Sequence, residues 1–279
     1  MTKGVQAHDR RNAVGQSGCP ARMIEYDISQ IAPEGEVEPP EENSGSIAEY
    51  ALILAALLSV VWYETRTSVL AAYKIGAVDE SIFQLLRQST TTAARVAADK
   101  LERLFTGEAT RNTKRWIANI KKALKIDVGT ILRPEDADEL VRLFVQKNTG
   151  LIKSLSNDAV KIVEQAVYDA HLQKLPAAEL QKDLQAKITG LKDGRAKLIA
   201  DDQLSKLNGQ LNMMRIQQAG GKEYKWDYQK GIPRKTSRAS HVARHKQIFK
   251  IGEPAGDEPG QAIGCKCRAR MISWGRNDN

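Results

Sequence analysis

The sequence predicts a mainly α-helical protein, with an elongated helical body followed by a small C-terminal α+β module. Aromatic residues make up only 5% of the chain, which is rich in Ala, Leu, Lys, Glu and Gln. That balance favours helices over a β-sandwich. A helical apolar period continues almost unbroken to about residue 221, and three of the nine prolines, two of the three cysteines and two of the four histidines then fall between residues 224 and 272. This loss of helical period and change in composition predict the start of a separate module.

Residues 1–45 are predicted to form a disordered N-terminal tail. Five glutamates lie between Glu34 and Glu42, with Val37 as the single apolar residue among them. So little apolar surface cannot offset the entropy of ordering the chain. A segment that folds on a partner is the alternative. Residues 1–23 mix charged side chains with no apolar core, so we expect no secretory signal.

A capped apolar run follows the tail. Ser46 and Glu49 have the spacing of a capping box and predict a helix start. The uninterrupted apolar part, Tyr50 to Tyr63, is 14 residues long, whereas a membrane span needs about 20. We therefore expect a buried assembly helix, covered by other helices or by another chain, rather than the alternative of a transmembrane helix.

Further helices are predicted from apolar stripes and from Gly or Pro punctuation. Gly107 is expected to end one helix, and Asn148 to Gly150 to break another. The predicted helices cover residues 79–104, 112–124, 134–147, 156–173, 177–188 and 195–218. These patterns divide the chain into a helical region at 46–147, a second helical region at 148–221 and the module at 222–279.

Net charge and cysteine content indicate which partners and which cellular compartment suit the protein. The formal net charge is +8, which suits contact with nucleic acid or an acidic protein surface. Cys19, Cys265 and Cys267 cannot form a disulfide framework, which indicates a reducing compartment and synthesis in a cytoplasm.

Two basic clusters could contact phosphates, or could be solvated faces. The first surrounds Trp116 on the helix predicted at 112–124 and comprises Arg111, Lys114, Arg115, Lys121, Lys122 and Lys125. The second lies between Lys222 and Lys250, a stretch that contains nine Lys or Arg residues and only two acidic residues. Its candidate nucleic-acid contacts are Lys230, Arg234, Lys235, Arg238, Arg244 and Lys246.

The module contains the ligand types of a zinc site. His241 and His245 are spaced i, i+4, and Cys265 and Cys267 follow. The Cys-x-Cys spacing is tighter than in common zinc fingers, and alternation along a strand would point both cysteines to one face and Lys266 to solvent. We therefore expect these side chains to pack without a metal and the protein to need no cofactor, with a structural zinc as the alternative.

No catalytic set is predicted. The sequence has no Gly-rich phosphate loop, no Ser or Cys nucleophile elbow and no paired acids in a loop context. A nuclease with His241 as general base is the alternative, but no acidic metal-binding cluster accompanies that histidine. We expect a protein that is not an enzyme.

The module resembles the phage head morphogenesis family, the Mu F-like minor capsid proteins of tailed bacteriophages. The matching residues are Gly220, Gly221, Trp226, Arg234, Arg238, His241, Pro259, Gly260, Cys265, Cys267 and Arg268. The resemblance covers residues 148–272. Two positions differ from the motif: Lys246 replaces a Gly and is expected to alter a turn, and Lys266 replaces an Arg and keeps the charge.

The resemblance implies a minor capsid protein that lies inside the procapsid and binds the portal protein or capsid subunits. It also implies contact with packaged double-stranded DNA, a location in the virion interior and in the host cytoplasm during assembly, and no membrane association. Some family members continue into a toxin domain, which we do not expect after Ile272. The alternatives are a DNA-processing hydrolase or toxin-type enzyme, and a plain DNA-binding protein.

Overall fold

Long helices and one small antiparallel sheet make up the part of the chain that the computed structural model describes, residues 32–129, 132, 134–229 and 238–274. The helices are α1 Ser44–Glu64, α2 Leu70–Lys74, α3 Glu80–Leu124, α4 Pro134–Gln173, α5 Ala177–Gly190, α6 Lys197–Gln218 and α7 Ala239–Ala243, and the strands are β1 Glu34–Val37, β2 Glu223–Asp227, β3 Ile248–Lys250 and β4 Arg268–Trp274. Short π-helical stretches at Thr65–Val69 and Leu191–Ala196 precede α2 and α6. The predicted class, mainly α with a small C-terminal α+β module, is confirmed.

The apolar helix α1 is the centre of the helical body. Leu54, Leu58 and Val61 are fully buried, and α1 packs against α3, α4 and α6. The stretch Ser44–Lys74 has the length and composition to cross a membrane. Because its buried stripe contacts the chain's own helices, α1 is a core helix of the bundle. Leu52, on the opposite side, is 68% exposed.

The start of α1 differs from the predicted capping box. Asn43 is the N-cap, and its side chain accepts a hydrogen bond from the backbone N–H of Gly45. Ser46 lies inside the helix and donates instead to Oε2 of the buried Glu108, at 2.8 Å. Asn caps as well as Ser does, so the serine hydroxyl is free to satisfy a carboxylate 62 residues away.

Two predicted helix ends are wrong. Helix α3 continues through Gly107, and α4 continues through Asn148 and Gly150. Phe105 is fully buried beside Gly107, and such burial outweighs the roughly 1 kcal/mol that a glycine costs inside a helix. Asn148 is also fully buried, and its side chain accepts a hydrogen bond from Tyr50 and donates one to the carbonyl of Phe144.

The predicted tail is wrong for residues 32–43, whereas residues 1–31, including Cys19, lie outside the described part. Strand β1 pairs antiparallel with β4, and Val37 is buried against Met271. Acidic side chains of this segment meet basic side chains of the two central strands, β2 and β4. Glu36 contacts Lys225 at 2.5 Å, and Glu38 contacts Arg270. Strand pairing and the burial of Ala32 and Val37 therefore order the segment, and the partly exposed ion pairs add a smaller contribution.

The sheet has the strand order β1-β4-β2-β3 and is antiparallel throughout. Its buried face packs on the C-terminal third of α3, where Trp116, Ile120 and Leu124 meet Tyr224 and Trp226 in one apolar cluster. Helix α3 has 45 residues, so it extends about 68 Å at 1.5 Å per residue. Its earlier part belongs to the core of the helical body. The same helix thus connects the body to the module.

Candidate functional site

One histidine and two cysteines of the module converge in its interior. Nδ1 of His241, on α7, lies 3.3 Å from Sγ of Cys265 and 3.6 Å from Sγ of Cys267. Both cysteines lie in the loop before β4 and are not in a disulfide. The three side chains are 3%, 3% and 6% exposed. We call His241, Cys265 and Cys267 the His-Cys-Cys cluster.

His245 is not part of this cluster, so the predicted set of four is wrong at that residue. Its Nδ1 accepts a hydrogen bond from the backbone N–H of Tyr228 at 3.1 Å and lies 3.9 Å from Asp227. The i, i+4 spacing would align two imidazoles only on a continuous helix. Helix α7 ends at Ala243, and His245 lies in the turn that follows.

Asp257 supports the other side of the imidazole, a role that the sequence did not indicate. Its Oδ1 lies 3.1 Å from Nε2 of His241, and its Oδ2 accepts a hydrogen bond from Arg244 at 2.6 Å. Partial burial alone would raise the pKa of Asp257. Hydrogen bonds from Arg244 and His241 outweigh this effect and lower the pKa below its usual value. An ionised carboxylate only accepts hydrogen bonds, so Nε2 is the donor in this contact, and Nδ1 faces the two sulfurs.

Trp226 forms the apolar wall of the cluster. Its ring packs edge-on against the imidazole of His241, with centroids 5.1 Å apart, and the guanidinium of Arg244 lies 5.1 Å from the same ring. The indole is fully buried. Through these contacts Trp226, His241 and Arg244 hold one another in place.

The sulfur of Cys265 is in an environment that favours a thiolate. A hydrogen bond with the Cys267 side chain is the largest cause that lowers its pKa, and backbone N–H groups of Cys267 and Gly260 act in the same direction. Burial opposes them, yet the pKa remains below the usual value for a thiol. Imidazole and thiolate together are the donors that zinc and other borderline metals prefer.

Lys266 does not point to solvent, so that prediction is wrong. The Cys265 to Cys267 segment precedes β4 and does not follow strand alternation. Lys266 is 8% exposed, and its Nζ lies 2.8 Å from Glu42 and 2.7 Å from Asp201. The lysine therefore ties the N-terminal segment and α6 to the loop of the cluster.

The Pro259-Gly260 step brings the loop against α6. Gly260 has φ +86°, and a Cβ atom added to Gly209 on α6 would lie 3.2 Å from the carbonyl oxygen of Pro259. Asp202 of the same helix accepts a 2.6 Å hydrogen bond from the backbone N–H of Gly264. The positive φ favours glycine at position 260, and the close approach of the Pro259 carbonyl favours glycine at position 209.

Lys246, which replaces a glycine of the motif, lies in the turn that follows α7. Lys246 has φ +67°, and its N–H donates to the carbonyl of Trp226 at 2.8 Å. The hydrogen bond fixes the left-handed conformation that a glycine adopts without strain.

Lys246→Gly is therefore expected to stabilise the protein by about 0.5–1 kcal/mol, because the relief of left-handed strain exceeds the added entropy of the unfolded chain. Urea denaturation measures the change. Lys250→Gly, in β3, is the control, and the same substitution is expected to be destabilising there. A lower midpoint for Lys246→Gly would contradict the expectation.

The candidate nucleic-acid residues separate into three groups. Lys230, Arg234 and Lys235 lie outside the described residues. Arg238 and Lys246 are exposed. Arg244 is held by Asp257 and Trp226 and is not available to a phosphate.

The basic cluster at the end of α3 is mostly a solvent-facing surface. Arg111 forms an ion pair with Glu108, and the remaining cations are Lys114, Arg115, Lys121, Lys122 and Lys125, all exposed. Trp116, in contrast, is 1% exposed and belongs to the core. It cannot stack on a nucleic-acid base there.

Comparisons with known proteins agree with the module assignment. Residues 161–270 match the model of the family described as Phage Mu protein F like protein. An uncharacterized protein of Haemophilus influenzae is 34% identical over 155 residues, which cover 53% of this chain and 33% of the relative. The match thus spans about a third of the relative's length. No solved structure matches the chain.

Proposed function

We propose that the chain is a minor capsid protein that acts in head morphogenesis of a tailed phage, because residues 161–270 match the model of the Phage Mu protein F like family. The matched range begins within α4 and ends within β4. It includes all three members of the His-Cys-Cys cluster and Trp226. The family match is the observation that carries the proposal.

The finer proposal is that the protein binds portal protein or capsid subunits inside the procapsid. The module is not a separate appendage, since β1 completes its sheet and α3 contributes to its core. A partner bound to the module would thus be coupled to the helical body through β1 and α3. This continuity supports a role as an assembly component rather than a tethered catalytic domain.

A role without catalysis is supported by the surroundings of His241. Its Nε2 faces Asp257 and its Nδ1 faces the two cysteines. A general base must reach the proton that it abstracts, whereas this imidazole is 3% exposed and both of its nitrogens are engaged within the protein. The hydrolase alternative has no accessible base at this residue.

Contact with packaged DNA is proposed for the exposed cations of α3 and for Arg238 and Lys246. Phosphate contacts release counterions, so such binding weakens steeply as salt rises. The net charge of +8 is consistent with it. A protein-binding role through apolar contacts would depend less on salt, so the salt dependence separates that role from the plain DNA-binding alternative.

Co-expression with the portal and major capsid proteins of the same phage tests the assembly role. We expect the tagged chain to sediment with procapsids and to co-purify with the portal or capsid protein as a defined complex. Salt-dependent binding to double-stranded DNA, reduced by Lys114→Glu with Lys121→Glu but not by Lys187→Glu on α5, would support the DNA contact. A chain that is absent from procapsids and binds neither protein would contradict the assembly role.

A further inference from the structure

From the geometry of the His-Cys-Cys cluster we propose a buried zinc site in the module, with Nδ1 of His241 and the sulfurs of Cys265 and Cys267 as its protein ligands. This site goes beyond the proposed assembly role. The sequence alone favoured packing without a metal, because Cys-x-Cys is shorter than common zinc spacings. In the structure, the distances between the donor atoms, the orientation of the imidazole and the charge of the filled site favour a bound zinc instead.

The distances match the edges of a zinc tetrahedron. Zinc lies about 2.0–2.1 Å from an imidazole nitrogen and about 2.3 Å from a thiolate sulfur, so tetrahedral angles place nitrogen and sulfur about 3.5 Å apart. The two N···S distances here are 3.3 and 3.6 Å. All three donor atoms lie within 4.8 Å of one another.

The orientation of the imidazole is also that of a ligand. A metal-binding histidine generally donates its other ring N–H to a carboxylate or carbonyl, which fixes the tautomer and makes the ligand nitrogen more basic. Asp257 supplies such a carboxylate at Nε2, and Arg244 holds Asp257 in turn.

Charge balance makes a buried ion acceptable at this place. One Zn²⁺ and two thiolates sum to zero, so the filled site buries no net charge, whereas an unpaired buried charge is costly. The thiolates also receive support from the fold, since the N–H of Cys267 lies 3.4 Å from Sγ of Cys265. On binding, the thiol protons pass to solvent, which couples occupancy to pH.

The fourth position of the tetrahedron is left for water. Among the described residues, the group of potential ligands has three members, and His245 is turned away toward Tyr228. Three protein ligands with one open position are more typical of catalytic zinc sites, but burial of all three ligands closes this site to a substrate, so the metal would have a structural role. The metal would join α7 to the loop before β4, two segments of the module that share no backbone strand pairing with each other.

Elemental analysis of the full chain, purified without added metal or chelator, tests the proposal. We expect about one zinc per chain, as a site with one ion predicts. His245→Ala should retain it, because that side chain lies outside the cluster. Cys265→Ser should lose most of it. Asp257→Asn removes no ligand and should lower the zinc affinity by about 10-fold or more in a competition with a chromogenic chelator.

Cobalt substitution keeps the proposal falsifiable if the serine variant fails to fold. The wild-type chain, stripped of metal and loaded with Co²⁺, should show sulfur-to-cobalt charge-transfer bands and the visible bands of tetrahedral cobalt. Folded wild-type protein with little zinc and no thiolate–cobalt bands would overturn the proposal and leave a packed thiol cluster. Zinc that persists in Cys265→Ser, or that is lost in His245→Ala, would also overturn this ligand set.

Discussion

Leu58→Asp is expected to prevent folding of the helical body. Leu58 is fully buried in α1, where that helix packs on α3, α4 and α6. Loss of a buried leucine costs about 2–5 kcal/mol, and an unpaired buried carboxylate adds several more. The sum is comparable to the total stability of about 5–15 kcal/mol for a typical protein. Circular dichroism and gel filtration should show an unfolded or aggregated chain.

Leu52→Asp is the matched control, since Leu52 lies on the same helix and is 68% exposed. An exposed substitution of this kind should change the free energy of unfolding by no more than about 0.5 kcal/mol. Leu52→Asp also probes the outer face of α1: a folded variant that no longer joins the proposed capsid partner would place that partner on this face. A soluble, fully folded Leu58→Asp protein would mean that α1 is not the core of the bundle.

Lys266→Met is expected to destabilise the protein by about 2–4 kcal/mol. The methionine retains length and apolar volume but leaves Glu42 and Asp201 without their shared counter-charge. Removal of one partner from a buried ion pair costs about 3–5 kcal/mol. Because Asp201 is 40% exposed and can be hydrated, we expect a smaller loss. The urea midpoint should fall with little change in the m-value.

Two further variants separate the buried network from the loss of a charge as such. Lys197→Met removes an exposed lysine that pairs with Asp193 on the surface, and such pairs contribute at most about 1 kcal/mol. The double variant Glu42→Gln with Lys266→Met should recover part of the lost stability, because it lacks the uncompensated Glu42 carboxylate. A double-mutant cycle measures this coupling. Equal effects of Lys266→Met and Lys197→Met would mean that Lys266 is not part of a buried network.

Local patterns predicted the regular elements well wherever burial and propensity agree. The apolar run Tyr50 to Tyr63 predicted a core helix, and α1 is one. The loss of helical period near residue 221 predicted the module, and the sheet strands β2, β3 and β4 follow that residue. Periodicity reports which face of a segment is apolar, and for these segments the apolar face is also the buried one.

Helix ends and caps predicted from single residues were wrong where contacts with distant parts of the chain outweigh the local preference. Gly107 and Asn148 looked like helix ends, but the surrounding side chains are buried against other helices, and this burial exceeds the local penalty. Ser46 looked like a cap, but its hydroxyl serves Glu108, and Asn43 caps the helix instead. In each case the deciding partner lies far along the chain.

The candidate site was predicted by residue type but not by arrangement. His241, Cys265 and Cys267 were named from the sequence, and the structure brings them together. His245 was named with them because the spacing assumed a continuous helix, which ends at Ala243. Asp257 was missed, since a single aspartate in a loop carries no pattern of its own.

The sequence by itself determined the helical class, the position of the module and the identity of its cluster residues, because these depend on side-chain chemistry and short-range period. Only the tertiary structure decided that the Glu-rich segment is a strand, that Lys266 is buried and that Asp257 orients His241. Each of these depends on a contact beyond the reach of a local pattern: Asp257 is 16 residues from His241, and Glu42 reaches Lys266 across 224 residues. Electrostatic and hydrogen-bond partners are set by where the backbone folds, and no local pattern in the sequence encodes them.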